Sequence, residues 1–461
     1  MQPIGNVGHA LILMNNKQVI PHSVVKFMMS TERLSLYFHR VNSVDAVRLW
    51  VQIMVHSGES WLELLMTSNQ WGVLSNLSKI SDNNRLKLLV LCAGDPNSEI
   101  PFSGSSRSLI QALERRGVVA HKANVLGFSD PFTPRNKSTR FSRNFERLGM
   151  LANYRHSSIC LARNSKRAMH IADEAPEFNA CLMYGTRFNP LLKVPTYCYF
   201  DATVAQVVKA GGWTYGRRSP AKNAVSFEYQ KSIFASCTGI FPRSQYAANS
   251  VINDYGIPSA KITVAGAGSN HSDEPLIHKS YANKNILFIG VQFERKGGDL
   301  ILNAFRILRK VMPDATLTIV GCNPKINEPG VEVVGRIYKD SPDGTRKLLD
   351  YYSKASIFCI MSSFEPFGIV VIEAQNSYVP CIVPNKFAFT EMVQNGLTGV
   401  HLDEETPTAL SKAMLDLLGT PLRLATMGKA AHRFVQTQWT WDKAAERIEQ
   451  RIMRDFKDPI R

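Results

Sequence analysis

Two successive series of short apolar runs, each run followed by a loop and a helical pattern, narrow most sharply what this chain can fold into. The first series opens with KLLVLCAG at Lys87 and continues through VVAHKANVLGF, ACLMYG, VPTYCYFD, TGIFPRS and KITVAGAG. The second restarts with NILFIG and runs through TLTIVG, VEVVGR, SIFCIMSS, VPCIVP and TGVHL. Apolar runs this short, without polar alternation, read as strands buried on both faces, the habit of parallel sheets. RSLIQALERRG, ending at Gly117, and the amphipathic GGDLILNAFRILRKVMP supply crossover helices. Strand–helix alternation carried through twice predicts an α/β chain of two doubly wound, Rossmann-like domains.

The first domain is expected over 85–268 and the second over 285–438, joined by the polar, irregular stretch SNHSDEPLIHKSYANK at 269–284. WTWDKAAERIEQRIMRDF makes 439–461 a terminal helix with Asp442 in its first turn. A length of 461 residues suits this plan at about 150 residues per domain. Residues 1–84 read differently. One helix is expected there, SVDAVRLWVQIMVH, with Ser43 as cap and Asp45 in the first turn. Its apolar residues run most of the way round, so it is buried or membrane-facing. The segment carries no chemical motif. It reads as a packing extension, or as a start codon assigned too early, with Met54 and Met66 as later candidates.

Hydrophobic residues at 44% and charged residues at 20% exclude collagen-like, disordered and disulfide-scaffold classes. Lys and Arg number 54 against 38 Asp and Glu, a formal charge of +16 that favours polyanionic partners. Between Pro101 and His170 thirteen Arg and Lys face only Glu114, Asp130 and Glu146, with phenylalanines interleaved. A solvated basic face and an anionic membrane surface or phosphorylated lipid are the competing readings. Nucleic acid is disfavoured, since no zinc-finger or RNP-type pattern is present. The eight cysteines include no CxxC and several sit inside apolar runs, so they read as buried, reduced thiols of a cytoplasmic protein. No apolar run approaches the ~18–20 residues of a spanning helix, and MQPIGNVGHALILMNN does not read as a secretory signal. The expected location is the cytoplasm, peripheral to the inner face of the membrane.

Three motifs carry chemistry. In SSFEPFGIVVIEAQNS, Glu365 lies on the loop after a strand, Gly368 opens a helix, and Glu373 sits on that helix. Ligands of doubly wound sheets bind at this edge, and exposed N–H groups at a helix start suit a phosphate or sugar hydroxyls. Gly368 lets a ligand approach the backbone; Glu365 suits sugar hydroxyls and Glu373 a ribose diol. In FIGVQFERKGGDLILNAF, Gly290 ends a strand, and Arg295 and Lys296 precede a Gly-Gly pair that starts a helix, a diphosphate clamp. In FSGSSRSLIQAL, Gly104 and two serines form a turn that either approaches phosphates or is an ordinary βα connection.

Taken together, the Gly104 loop, Arg295–Lys296–Gly297, Glu365-x7-Glu373 and WTWDKAAERI resemble the family-4 glycosyltransferases of GT-B fold, strongly from about 225 to 456, more weakly over 87–224 and not over 1–84. The resemblance implies two Rossmann-like domains facing a cleft, acceptor on the first and donor on the second, with the C-terminal helix crossing back to the first. It implies transfer of a sugar from a UDP- or GDP-linked donor, with retention, to a glycan or lipid-linked acceptor, without an obligatory cofactor or metal. Carried over, Arg295 and Lys296 neutralise the leaving diphosphate and Glu365 holds the donor sugar, with Phe367, Gly368 and Ile369 beside it. Glu373 binds the ribose. Val334, Gly335, Arg336 and Ile337 meet the nucleobase, and Gly290 and Gly104 lie near the phosphates. The sequence departs from the family at Val291, where many members carry Arg, and in MYGTRF, where many carry a sugar-contacting His. Asp201 in CYFDAT is either a cleft residue or a helix cap. The alternatives are a GT-B epimerase or hydrolase acting on a nucleotide sugar, and a non-catalytic, basic surface-binding protein. GGWTYGRRS lacks the lysine of a P-loop and reads as a plain loop.

Overall fold

Met1–Asn84 and Arg85–Arg461 form two units in the computed structural model, which describes residues 11–14, 18–21, 85–98, 101–126, 157–211, 218–271, 279–339 and 342–457. In the first unit β1 (Leu11–Met14) pairs antiparallel with β2 (Gln18–Pro21), Ile12 opposite Ile20. Sequence reading offered no strand here. The helix expected from Ser43 lies outside the described residues.

The second unit begins with β3 (Leu88–Cys92), α1 (Ser105–Arg115), β4 (Val119–Asn124) and α2 (Ser158–Glu174). β5 (Ala180–Tyr184), β6 (Thr196–Phe200), α3 (Val204–Lys209), α4 (Pro220–Ser236), β7 (Gly239–Pro242) and α5 (Gln245–Tyr255) follow. The sheet order is β4-β3-β5-β6-β7, all parallel. Every residue of β3, β5, β6 and β7 is buried, while the edge strand β4 is partly exposed. Helix starts are set by local chemistry. Ser157, Ser219 and Ser244 each accept from a backbone N–H three residues on, and Pro220 fills the first position of α4.

The second series gives β8 (Asn285–Ile289), α6 (Gly298–Val311), β9 (Thr316–Val320), β10 (Val331–Gly335), α7 (Pro342–Lys354) and β11 (Ile357–Cys359). It continues with α8 (Ile369–Asn376), β12 (Cys381–Pro384), α9 (Phe389–Met392), β13 (Gly399–Leu402), α10 (Pro407–Leu418), α11 (Pro421–Gln438) and α12 (Trp441–Lys457). The order is β10-β9-β8-β11-β12-β13, again all parallel. Two doubly wound sheets therefore form, as the alternation predicts.

One expected strand does not. In KITVAGAG only Ile262 bridges to Ile240, with Thr263 N–H donating to Ile240 and Ala265 N–H to Pro242. Two carbonyls of this segment are claimed by side chains instead: the Tyr199 hydroxyl donates to that of Gly266 at 2.8 Å and Arg447 to that of Ala265 at 3.1 Å. Those carbonyls, taken by side chains, are not available to a further strand, and the ladder ends there.

Helix α12 crosses back to the first sheet. Its apolar stripe of Trp441, Ala444, Ala445, Ile448 and Ile452 joins the core with Leu109 and Leu113 of α1 and with Tyr197 and Phe241. Arg115 pairs with Asp442 at 2.7 Å, and Arg116 with Glu449. Deeper in, Arg451 donates to Asp455 at 2.8 Å and to Thr263 at 3.0 Å, and Asp455 also accepts from the Tyr197 hydroxyl. The two lobes also meet at Glu391, which accepts from the N–H groups of Gln245 (2.6 Å) and Tyr246 (2.7 Å) at the start of α5. A carboxylate there satisfies orphan donors and complements the helix dipole.

Candidate active site

Strand order reverses between β8 and β11, and a doubly wound sheet opens its ligand crevice at that switch point. The loop after β8 carries Arg295 and Lys296; the loop after β11 carries Glu365. Backbone bonds tie them together, Met361 N–H to Lys296 carbonyl at 3.1 Å and Ser363 N–H to Arg295 carbonyl at 2.9 Å. Lys296 donates to Glu365, and Arg295 Nη1 lies 3.9 Å from the same carboxylate while donating to the Phe364 carbonyl at 2.6 Å. Topology thus brings together two motifs about 70 positions apart in sequence.

Two glycines make the loops fit. Gly297 precedes α6 at φ 77°, and a Cβ there would lie 2.1 Å from the Met361 carbonyl oxygen. Gly368 precedes α8 at φ 80°, and its Cβ would meet the Phe389 ring at 2.8 Å and Glu365 Cγ at 3.2 Å. Backbone conformation and packing, rather than ligand approach alone, demand glycine at these positions. The first N–H groups of α8, at Ile369 and Val370, lie at a helix start beside Glu365, where an anion or hydroxyl finds donors. Phe367 is buried against Trp439.

Glu373, on α8, is fully buried. Lys339 Nζ donates to Oε1 at 3.0 Å and Oε2 at 3.3 Å, the Tyr352 hydroxyl donates to Oε2 at 3.1 Å, and His271 Nε2 lies 3.4 Å from Oε2. Burial alone would push this carboxyl upward; Lys339 and then His271 more than reverse it and hold the group well below the ordinary carboxylate range. Tyr352 is driven the other way, upward, by burial and then by the Glu373 charge. Lys339, His271 and Tyr352 are the site residues that sequence reading missed. His271 stood inside a stretch read as linker. Lys339 lies two residues beyond the Gly335–Arg336–Ile337 edge, which itself leaves β10 with Gly335 at φ 77° and the Arg336 guanidinium over the Tyr338 ring.

In the first sheet, order reverses between β3 and β5, and the loop after β3 holds Gly104 at φ 88° as the cap of α1. Ser105 and Ser106, the next two residues, are buried with hydroxyls that have no hydrogen-bond partner among the described residues. Asn270 donates to the Ser103 carbonyl at 2.7 Å and accepts from the Trp441 indole at 3.1 Å. The Gly104 loop, the segment leading to His271 and the crossover helix are therefore one hydrogen-bonded assembly. Arg243, after β7, is buried; its guanidinium donates to the Tyr184 hydroxyl and lies within 5.8 Å of the Tyr199 and Phe367 ring centres. Asp201 stands 3.9 Å from Arg243. The cap of α3 is Thr203, in a reciprocal capping box with Gln206, so the helix-cap reading of Asp201 is overturned.

Beside Arg295, a cleft of about 510 Å³ is lined by Val291, Gln292, Phe293, Glu294 and Cys322. Val291, at the place where the resembling family carries Arg, is 64% exposed. Seven of the eight cysteines are buried; Cys322 alone is half-buried, its thiol pushed up to about 11 by burial and then by Glu294. A disulfide reagent at about pH 8 is expected to label Cys322 slowly in the folded chain and the other seven only after unfolding, since attack needs both access and thiolate. Mass spectrometry of the labelled peptides checks this; fast labelling of any other cysteine would contradict the packing described. Among the described residues no cluster of three or more His, Cys, Asp or Glu stands ready for a metal, and no helix is long and apolar enough to cross a membrane. Six of the thirteen cations of the basic stretch, and most of GGWTYGRRS, lie outside the described residues.

Two parallel Rossmann-like lobes bridged by a crossover helix define the GT-B fold. Solved structures agree: sucrose-phosphate synthase of Thermosynechococcus elongatus superposes with TM-score 0.59 at 17% identity over 81% of this chain and 100% of the other. HepE of Anabaena, solved with UDP and glucose, gives 0.54 at 14% over 80% and 99%. Residues 276–434 match the family "Glycosyl transferases group 1". Among curated relatives, a GDP-mannose-dependent alpha-(1-6)-phosphatidylinositol monomannoside mannosyltransferase of Mycolicibacterium smegmatis is 28% identical over 33% of this chain and 44% of its own length. A D-inositol 3-phosphate glycosyltransferase of Corynebacterium aurimucosum is 30% identical over 36% and 42%. The chain thus spans less than half the length of these two relatives.

Proposed function

We propose that this chain is a retaining glycosyltransferase that moves a sugar from a UDP- or GDP-linked donor to a glycan or lipid-linked acceptor, in polysaccharide or cell-envelope glycan synthesis. The observation that carries this reading is the meeting of Arg295, Lys296 and Glu365 at the switch point of a lobe that matches the group 1 glycosyl transferases. Lys296 and Arg295 neutralise the diphosphate as it leaves, the electrostatic share of the work. Glu365 and the N–H groups at the start of α8 hold the donor sugar, and Glu373 takes the ribose. Gly335, Arg336 and Ile337 line the nucleobase edge, while Gly290 and Gly104 face the phosphates. Both glutamates serve the donor, so neither acts as the nucleophile. The acceptor oxygen therefore bonds to the anomeric carbon on the face the diphosphate leaves, and its proton passes to the departing phosphate oxygen. The names of the two relatives, one GDP-mannose-dependent and acting on phosphatidylinositol monomannoside, the other a D-inositol 3-phosphate glycosyltransferase, support a phosphorylated or lipid-linked acceptor, and the basic stretch suits its approach from an anionic surface.

A thermal-shift panel of UDP, GDP, ADP and their sugars tests the reading on wild type and Arg295→Ala/Lys296→Ala. A nucleotide at a hundredfold excess over its Kd stabilises the folded state by about 2.7 kcal/mol. One base class is expected to raise the midpoint of wild type only. No shift with any nucleotide, in a folded sample, would overturn the assignment.

A further inference from the structure

Glu373 has no exposed surface, yet it keeps its charge. Each carboxylate oxygen offers about two acceptor directions. Oε2 faces the Tyr352 hydroxyl, Lys339 at 3.3 Å and His271 at 3.4 Å, while Oε1 is met by Lys339 at 3.0 Å and by nothing else among the described residues. A ribose diol donating twice finds one direction open, so one present donor must yield. Tyr352 is fully buried and the His271 side chain is 2% exposed, whereas the Lys339 side chain is 24% exposed, on a segment that leaves the edge strand β10. Lys339 is the donor with somewhere to go.

We propose that Lys339 is a positioning residue for the donor nucleotide: its ammonium holds the buried Glu373 carboxylate in place and charged, and gives up part of that contact when a ribose docks. The proposal rests on the assignment of Glu373 to the ribose. The groups facing Glu373 are Lys339 from the segment after β10, Tyr352 from α7 and His271 from the segment after the first lobe. Cys381 of β12 lies behind Tyr352, and Lys279 donates to the Tyr352 carbonyl. Burial pulls the Lys279 ammonium down to about 7, and this contributes equally to wild type and to Lys339 variants.

Two measurements test it on the full chain: the thermal midpoint without ligand from about pH 6 to about pH 9, and UDP and GDP affinity by calorimetry over the same range. In wild type the Glu373 pKa is depressed, so its contribution is complete above the ordinary 4.5 and is lost only in acid. In Lys339→Met the fully buried carboxylate loses its ammonium partner, so burial raises its pKa and the folded chain retains on Glu373 a proton that the unfolded chain releases. Stability tied to that proton is present at low pH and lost as pH rises through the raised value. The midpoint of Lys339→Met is therefore expected to fall relative to wild type towards alkaline pH. Its nucleotide affinity, relative to wild type, is expected to change at least about threefold across the range as Glu373 loses that proton. Lys339→Arg should restore the wild-type profile, and Lys339→Met/Glu373→Gln should lose the extra slope. If Lys339→Met does not fold, the double variant is expected to fold, since the unpaired charge is gone. Parallel midpoint profiles, or a double variant no better than the single one, would overturn the proposal whatever nucleotide binds. A folded wild type that binds neither nucleotide, with diverging midpoint profiles, would instead overturn the ribose assignment.

Discussion

Lys296→Met is expected to lower the transfer rate by about 10²–10³-fold at saturating donor, the usual loss when one preorganised charge donor is removed from a developing anion. The ammonium is mostly buried and contacts Glu365 directly. On the proposed reading its removal takes one of two cations from the leaving diphosphate, and it leaves Glu365 with the guanidinium of Arg295, at 3.9 Å, as its cationic partner among the described residues. Arg295→Met should cost less, because that guanidinium is partly engaged by the Phe364 carbonyl and by Gln292. Steady-state release of nucleoside diphosphate reads the effect. An unchanged KM with a fallen kcat would place the contact in the transition state, whereas a kcat within about threefold of wild type would remove Lys296 from the chemistry.

Gly297→Val should destabilise the unit by about 2–4 kcal/mol, combining left-handed backbone strain with forced overpacking. The added atoms would run into the Met361 carbonyl at 2.1 Å and its Cβ at 2.5 Å, neither of which is the far end of a flexible chain. Gly335→Ala is the control: φ is again 77°, but no other atom of the described residues beyond its chain neighbours lies within 4 Å of the added Cβ, so the backbone term of about 1–2 kcal/mol remains. Urea unfolding compares the two. Equal losses would mean that the close approach of the β8 and β11 loops is not what Gly297 serves.

Much of this fold was legible because parallel strands buried on both faces leave uninterrupted apolar runs, and the runs from Lys87 onward gave the strands of both sheets in order. KITVAGAG misled for a definite reason: Ile262 and Val264 stay half-buried, and only Ala265 to Gly268 are buried, where Trp439 of the C-terminal segment lies close to Gly266, a neighbour that no local pattern reveals. The strand pair of Leu11–Met14 and Gln18–Pro21 was passed over because the only element expected in 1–84 was the helix from Ser43, and LILM and QVIP are too short to show a period. At the site, Arg295, Lys296, Glu365 and Glu373 were visible as motifs. Lys339, Tyr352 and His271 were not, because each reaches Glu373 from a different connection, and only the crossing of those connections over the strand ends brings them together.

The crossover helix has a consequence for how the chain comes off the ribosome. The first lobe's strands are complete once Pro242 has emerged, yet Tyr197, Phe241, Leu109 and Leu113 await Trp441, Ile448 and Ile452 to cover them. At about 5–20 residues per second, the intervening sequence takes roughly 10–40 s to translate. Through that interval the earlier-made lobe stands with an open apolar flank and with the Tyr197 hydroxyl still lacking Asp455 as its acceptor. Nascent chains of this protein should therefore engage holdase chaperones until termination. A message cut short before Trp441 should yield a product marked for degradation by a defect in the half that was finished first.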